Sequence, residues 1–164
     1  MALAWYVIYT RSRHEKVVAE QLWQKGMECF LPLYEKISKW KDRRKLVQLP
    51  LFPGYLFVRT NITERRLDIL KVPSVVGIVG STGRPEPIEA AQIKAVQDLA
   101  LRKIPLDPHP YLATGQRVRI TSGSLNGMEG ILLEKRNRFR LVISIDLIRQ
   151  SVACEIDAGD VEAI

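Results

Sequence analysis

Cysteine and histidine are scarce in this chain of 164 residues, with two of each. Cys29 and Cys154 stand far apart and form no C-x-x-C pair, so neither a disulfide framework nor a zinc site is expected, and no metal. His14 and His109 form no H-E-x-x-H; G-x-S-x-G and the phosphate-cradling P-loop are missing as well. No residue is thus a catalytic candidate, no cofactor is implied, and an enzyme is not expected. Cys29, between Glu28 and Phe30 in a strand pattern, reads as a buried structural thiol. Apolar runs reach only about six residues, as in Trp5 to Thr10, far short of the roughly 18 of a membrane span. The opening Met1-Ala2-Leu3-Ala4-Trp5 has neither a basic head nor a long apolar stretch, so no secretory signal is expected and the cytoplasm is the expected compartment.

What the chain has is positive charge, unevenly spread. Hydrophobic residues make up 46% and charged residues 26%, a globular composition with a net charge of +7. Residues 1–104 hold 18 Lys and Arg against 10 Asp and Glu, whereas residues 105–164 hold 7 against 8. Polyanion binding is therefore expected of the front half only. The charge changes sign where Pro105, Pro108 and Pro110 crowd together, and proline disfavours a helix at and before its own position. We read three parts: a first module over 1–103, an extended linker over 104–113, and a second module over 114–164.

The first module alternates patterns. Trp5 to Thr10, Cys29 to Leu33, Tyr55 to Val58 and Val75 to Val79 read as strands. Helical spacing links Val18, Ala19, Leu22 and Trp23, then Leu67, Ile69 and Leu70, then Ile93, Val96, Leu99 and Ala100. The order β-α-β-β-α-β plus one helix predicts an α+β, ferredoxin-like module: an antiparallel sheet with flanking helices. The second module has period 2 throughout, in residues 117–120, 138–145 and 151–156. About fifty residues cannot fill a sandwich, so a small curled β-barrel is expected, with corners at Gly115, Gly123, Gly127 and Gly130.

Two local features suggest contacts. In Phe52-Pro53-Gly54-Tyr55-Leu56-Phe57-Val58, Tyr55 and Phe57 share one strand face. Gly54, Tyr55, Phe57 and Val58 fit an RNA-recognition strand, while Pro53, Leu56 and Thr60 depart from it; a plain core strand is the other reading. Lys36 to Lys45 carries six cations and one acid around Trp40, either a solvated hairpin tip or a phosphate-tracking loop with a stacking ring. Lys39, Lys41, Arg43 and Arg44 are its candidate contacts. A second cluster, Arg11, Arg13, His14 and Lys16, opens the first helix, where cations oppose the helix dipole.

Along almost its whole length the chain resembles the NusG-type transcription elongation and antitermination factors. The resemblance is carried by Trp5 to Thr10, by Leu51-Phe52-Pro53-Gly54-Tyr55-Leu56-Phe57-Val58, and by Val72 to Gly80. It extends to Gly115 through Ile131, which is similar to the KOW motif. It implies an amino-terminal NGN domain that binds RNA polymerase and a KOW domain of SH3-like form. In that family an apolar pocket grips the clamp helices of the largest polymerase subunit; its counterparts here are Tyr6, Tyr9, Phe52, Pro53, Tyr55 and Phe57. Asn61 and Thr63 are candidates for the opposite side of the cleft, a bridge that disfavours pausing and termination. Arg11, Gln21, Gln24 and Lys25 are candidates for the non-template DNA strand. The family's Phe-Gly-Arg turn, which contacts a ribosomal protein or Rho, is replaced by Ile145 to Gln150, with Leu147, Ile148 and Arg149 as the partner candidates. That departure points towards a specialised paralogue, acting as a monomer. A stand-alone RNA-binding protein, of recognition-motif or ribosome-associated KOW type, is the alternative.

Overall fold

The computed structural model describes residues 3–40, 42–81, 83–102 and 104–164. In chain order the elements of the first module are β1 (Ala4–Thr10), α1 (Glu15–Gln24), β2 (Glu28–Phe30), β3 (Leu33–Trp40), β4 (Arg43–Pro50), β5 (Tyr55–Thr60), α2 (Ile62–Leu70), β6 (Val75–Ile78), β7 (Gly80–Ser81), β8 (Arg84–Pro85) and α3 (Ala90–Leu101). Four strands form an antiparallel sheet in the order β2-β5-β1-β6, the ferredoxin-like arrangement. Alternation along β1 and β5 divides their side chains between two faces. Tyr6, Ile8, Leu56 and Val58 pack with Val18 and Leu22 of α1 and Ile69 of α2. Val7 and Phe57 face the other way, into a cluster with Ile93, Val96 and Leu99 of α3. The charged stretch after β2 is a free-standing ribbon: β3 and β4 pair only with each other, from Leu33 opposite Pro50 to Trp40 opposite Arg43.

The second module comprises β9 (Asp107–His109), β10 (Gln116–Ile120), β11 (Glu129–Lys135), β12 (Arg138–Ile145), a 3-10 turn over Asp146–Ile148, β13 (Gln150–Ile156) and β14 (Val161–Ala163). All six strands join one curled, barrel-like antiparallel sheet in the order β14-β10-β11-β12-β13-β9. β9 corrects the linker expectation. Residues 107–109 pair with β13 as its outermost strand, and Leu112 is held by the Ser144 and Ser151 hydroxyls. An edge strand tolerates Pro108, because an N–H missing from its unpaired side costs no ladder bond. Gly130 is required for another reason than a corner: a Cβ there would lie 2.7 Å from the Val142 carbonyl oxygen.

The modules are packed together. The cluster holding Val7, Phe57, Ile93, Val96 and Leu99 continues into Val118, Ile120, Met128, Leu141, Ile143 and Ile145 of the second sheet. Gln92 of α3 adds two polar contacts. Its Nε2 donates to Asp146 Oδ2 at 2.7 Å, and the Asp146 backbone N–H donates to its Oε1 at 3.0 Å.

Candidate functional site

The Pro53-Gly54 turn is built around a buried carboxylate. Glu15, in the first turn of α1 where an acid suits the helix dipole, accepts the Gly54 N–H at 3.0 Å. Thr10 N–H donates to the Gly54 carbonyl at 2.8 Å, and Gly54 takes φ +86° with the Tyr9 ring lying where a Cβ would point. This locks Tyr9 against Tyr55, their ring centroids 5.2 Å apart. Tyr9 is 43% exposed and Pro53 is also exposed. Burial first, and Tyr9 second, raise the Tyr55 phenol above its ordinary value, so it stays neutral at physiological pH.

Three of the expected pocket residues do not reach this surface. Tyr6 lies on the opposite sheet face beneath α1 and α2, because its position in β1 has the other parity from Tyr9. Phe52 and Phe57 share the face of Tyr9 but are sealed by α3 and by each other, edge to face at 5.8 Å. Phe57 stacks in turn on Phe30 at 6.0 Å, and Phe30 meets Trp5 at 6.5 Å. Trp5 and Phe30 open into a hollow of about 590 Å³ bounded by Ala90, Ile93, Gln97 and Leu101 of α3. The accessible aromatic surface is therefore Tyr9, Pro53 and Tyr55, with a second opening at Trp5 and Phe30. A base-stacking platform needs Tyr55 and Phe57 open side by side, so a buried Phe57 removes the recognition-motif reading of this strand.

Asn61 and Thr63 sit at the far end of β5, where α2 begins; Asn61 precedes the helix and its carbonyl accepts the Glu64 and Arg65 N–H groups. The β1–α1 turn displays Arg11, Arg13 and His14 in solvent. It is pinned by the Arg11 N–H to the Ser74 carbonyl at 2.9 Å and by His14 Nδ1 and Ser74 Oγ at 2.6 Å. Lys16 Nζ donates to the Gln48 carbonyl at 2.9 Å, tying this basic turn to the root of the β3–β4 ribbon. On the ribbon Lys39 stands directly opposite Arg44, and Arg43 is exposed beside them. Lys41 and the Trp40 side chain lie outside the described residues. Gln21, Gln24 and Lys25 occupy the other end of α1, so they do not share one patch with Arg11.

In the second module the expected partner turn faces inward. Ile148 is buried and Leu147 packs against the shared core. Asp146 is held by Gln92 and by the Tyr111 hydroxyl at 2.7 Å, and the Arg149 guanidinium lies 5.0 Å from the centre of the Tyr111 ring. The hydrogen bond to Asp146 raises the Tyr111 phenol above its usual value. Sequence reasoning missed Glu15, Gln92, Tyr111 and Asp146. The one available hint is Glu15, a lone acid among Arg11, Arg13, His14 and Lys16. Burial pushes Cys29 up to about 12 and Cys154 to about 11, so neither supplies a thiolate at neutral pH. Among the described residues no three His, Cys, Asp or Glu side chains gather as metal ligands, and no helix is long and apolar enough to cross a membrane.

An exposed tyrosine pair and a run of exposed cations on a ferredoxin-like module, joined to a barrel-like sheet, suit a protein that binds macromolecules. The comparisons with known proteins give that class a family. The profile of the NusG family, described as transcription termination factor nusG, matches residues 3–97. That is more than half of the chain, and the chain belongs to the NusG family. It is 28% identical over 176 residues to the transcription termination/antitermination protein NusG of Lactococcus lactis, covering 98% of this chain and 92% of that one. The protein of the same name from Pseudomonas aeruginosa is 25% identical over the full length of both. Among solved structures, one described as domain interaction in Thermotoga maritima NusG aligns with a TM-score of 0.56 and 25% identity, covering 100% of this chain and 98% of that one. The chain is thus a transcription elongation and antitermination factor of a family that acts with RNA polymerase.

Proposed function

We propose that the first module seats the clamp helices of the largest polymerase subunit on Tyr9, Pro53 and Tyr55, with the Trp5–Phe30 hollow, at the other end of β1, as a second anchor. The observation that carries this reading is the exposed Tyr9–Tyr55 pair, held rigid by the Glu15–Gly54 bond. Pre-ordered aromatic rings make good binding hot spots, because little side-chain freedom is lost on contact. Phe52 and Phe57 support the pair from beneath and do not touch the partner. Asn61 and Thr63, at the opposite end of β5, meet the other side of the polymerase cleft, and the resulting bridge keeps the clamp closed against pausing. Arg11, Arg13, His14 and the ribbon cations Lys39, Arg43 and Arg44 form one track past the non-template DNA strand. Gln21, Gln24 and Lys25 touch that strand separately. The second module recruits a ribosomal protein or Rho through Leu147, Ile148 and Arg149, once α3 releases that turn. The protein works in the cytoplasm as a specialised paralogue and a monomer.

The test is in vitro transcription through a terminator. Tyr9→Ala with Tyr55→Ala removes two half-exposed rings and is expected to weaken polymerase binding by about 2–4 kcal/mol, the range of a hot-spot pair. Readthrough at a fixed concentration should then fall to the level without the protein. Full readthrough by this double variant, with a normal melting temperature, sinks the assignment of the clamp-binding surface.

A further inference from the structure

The near-neutral charge of the second half conceals a concentrated basic tip. Four cations fall within the six residues Lys135-Arg136-Asn137-Arg138-Phe139-Arg140, at the hairpin joining β11 to β12. Two features of this tip work against folding. Lys135 and Arg138 stand directly opposite each other across the ladder, where like charges destabilise. Arg136 and Asn137 both take left-handed φ, +52° and +61°, as a type I′ turn demands. Asn suits that region, whereas Arg does not.

The surroundings neutralise the tip only in part. Asp107 lies 3.9 Å from Arg140, while Glu129 and Glu162 are tied to Arg119, and Asp146 to Gln92 and Tyr111. Glu155 reaches Arg138 at 3.3 Å, between side chains that are both mostly exposed. Glu134 neighbours Lys135 but points to the other side of β11. Lys135 and Arg136 have no hydrogen bond, ion pair or ring partner among the described residues, and both are exposed. A neutral Asn-Gly turn would close the same hairpin at lower cost, so the fold does not explain these cations.

We propose that Lys135, Arg136 and Arg138 form a phosphodiester-binding tip through which the second module holds the backbone of a nucleic acid. Arginine forks and an ammonium group at one turn match the charge of phosphate oxygens. A two-residue turn carries no pocket for a base, so recognition is by backbone and is independent of sequence. The tip belongs to the second module and the surface proposed to bind polymerase to the first, and the proposal does not depend on that surface.

The experiment uses the full chain without polymerase. Binding to a labelled single-stranded RNA and to a labelled DNA duplex is followed by fluorescence anisotropy across a salt series. The variant Lys135→Gln, Arg136→Asn, Arg138→Gln removes three charges and keeps a residue suited to left-handed φ in the turn. Its salt slope is expected to shrink by about 2 on RNA or about 3 on the duplex, with an affinity loss on the order of tenfold at low salt. Loss on only one polymer identifies that polymer as the ligand; loss on both supports a backbone site shared between them. A control, Lys71→Ala, Arg102→Ala, Arg117→Ala, removes the same charge from exposed positions elsewhere and should leave the slope near that of the wild type. Three results overturn the proposal: an unchanged slope in the tip variant, an equal loss in the control, or polyglutamate displacing the nucleic acid as well as unlabelled RNA does.

Discussion

Two hairpins, one in each module, carry a like-charged cross-strand pair near the tip on different supports. The first ribbon, β3–β4, belongs to no larger sheet, and Ile37 and Leu46 face solvent halfway along it, 62% and 59% exposed. The second, β11–β12, lies inside a six-stranded sheet, with its own Ile131, Leu141, Val142 and Ile143 buried along the half away from the turn. Yet each carries a like-charged cross-strand pair near its tip: Lys39 opposite Arg44, one pair back from Trp40 opposite Arg43, and Lys135 opposite Arg138, the last pair before the turn. Supports this dissimilar place no common demand on the tips, which favours the contact role proposed for both over a role in folding.

Breaking the support should separate the two most sharply. Gly130→Val places side-chain atoms against the Val142 carbonyl and the Leu141 side chain, both within 3 Å of the new Cβ. A backbone oxygen cannot move aside without parting the ladder, so the expected loss is about 3 kcal/mol or more, read as the collapse of second-module amide signals in NMR. The ribbon offers no equivalent position. Replacing residues 36–47 by a short turn should leave the melting temperature within about 2 °C, because few buried contacts are lost. A large destabilisation on that replacement would mean the ribbon is structurally required, and the comparison fails.

A smaller effect is expected where the modules meet. Gln92→Ala removes both bonds to Asp146, worth about 1 kcal/mol at a solvent-exposed site. Amide exchange at 146–149 should accelerate while exchange in β1 and β5 stays slow. Unchanged exchange would show that the apolar contacts of Ile93, Val96 and Leu99 hold the turn by themselves.

The contrast between the hairpins also explains what could be read in advance. Period 2 is plain in β12 and β13 because Leu141, Ile143, Val152 and Cys154 share the face towards the main core, although Val142, Ser151 and Ala153 on the other face are buried as well. No such constraint acts on the ribbon, so its two eight-residue strands looked like a charged stretch. The ferredoxin-like order was legible for the same reason, since α1 and the inner face of β1 each have a core to meet. Legibility ended where a third element decides exposure. Tyr9 and Phe57 share a face and a chemistry, and the packing of α3, Phe52 and Phe30 covers the second while the first stays open. The bonds joining Gln92, Tyr111 and Asp146 link three distant segments and leave no local pattern. The basic tip at 135–138 was present in the sequence but vanished when charge was summed over sixty residues.

The smallest effect tests whether the tips differ only in what holds them. Lys39→Gln and Lys135→Gln each relieve one cross-strand repulsion, worth a few tenths of a kcal/mol. In the second module that gain enters a cooperative sheet, so thermal unfolding should shift upward by about 1 °C. On the free-standing ribbon the gain only reduces local fraying, and the global transition should not move. Both variants should nonetheless lose about one unit of salt slope on nucleic acid, because one phosphate contact is missing in either case. Equal upward shifts in melting would show that the ribbon unfolds with the rest of the chain. Its charged tip would then be part of the stable body, and the case for two differently supported arms would fall.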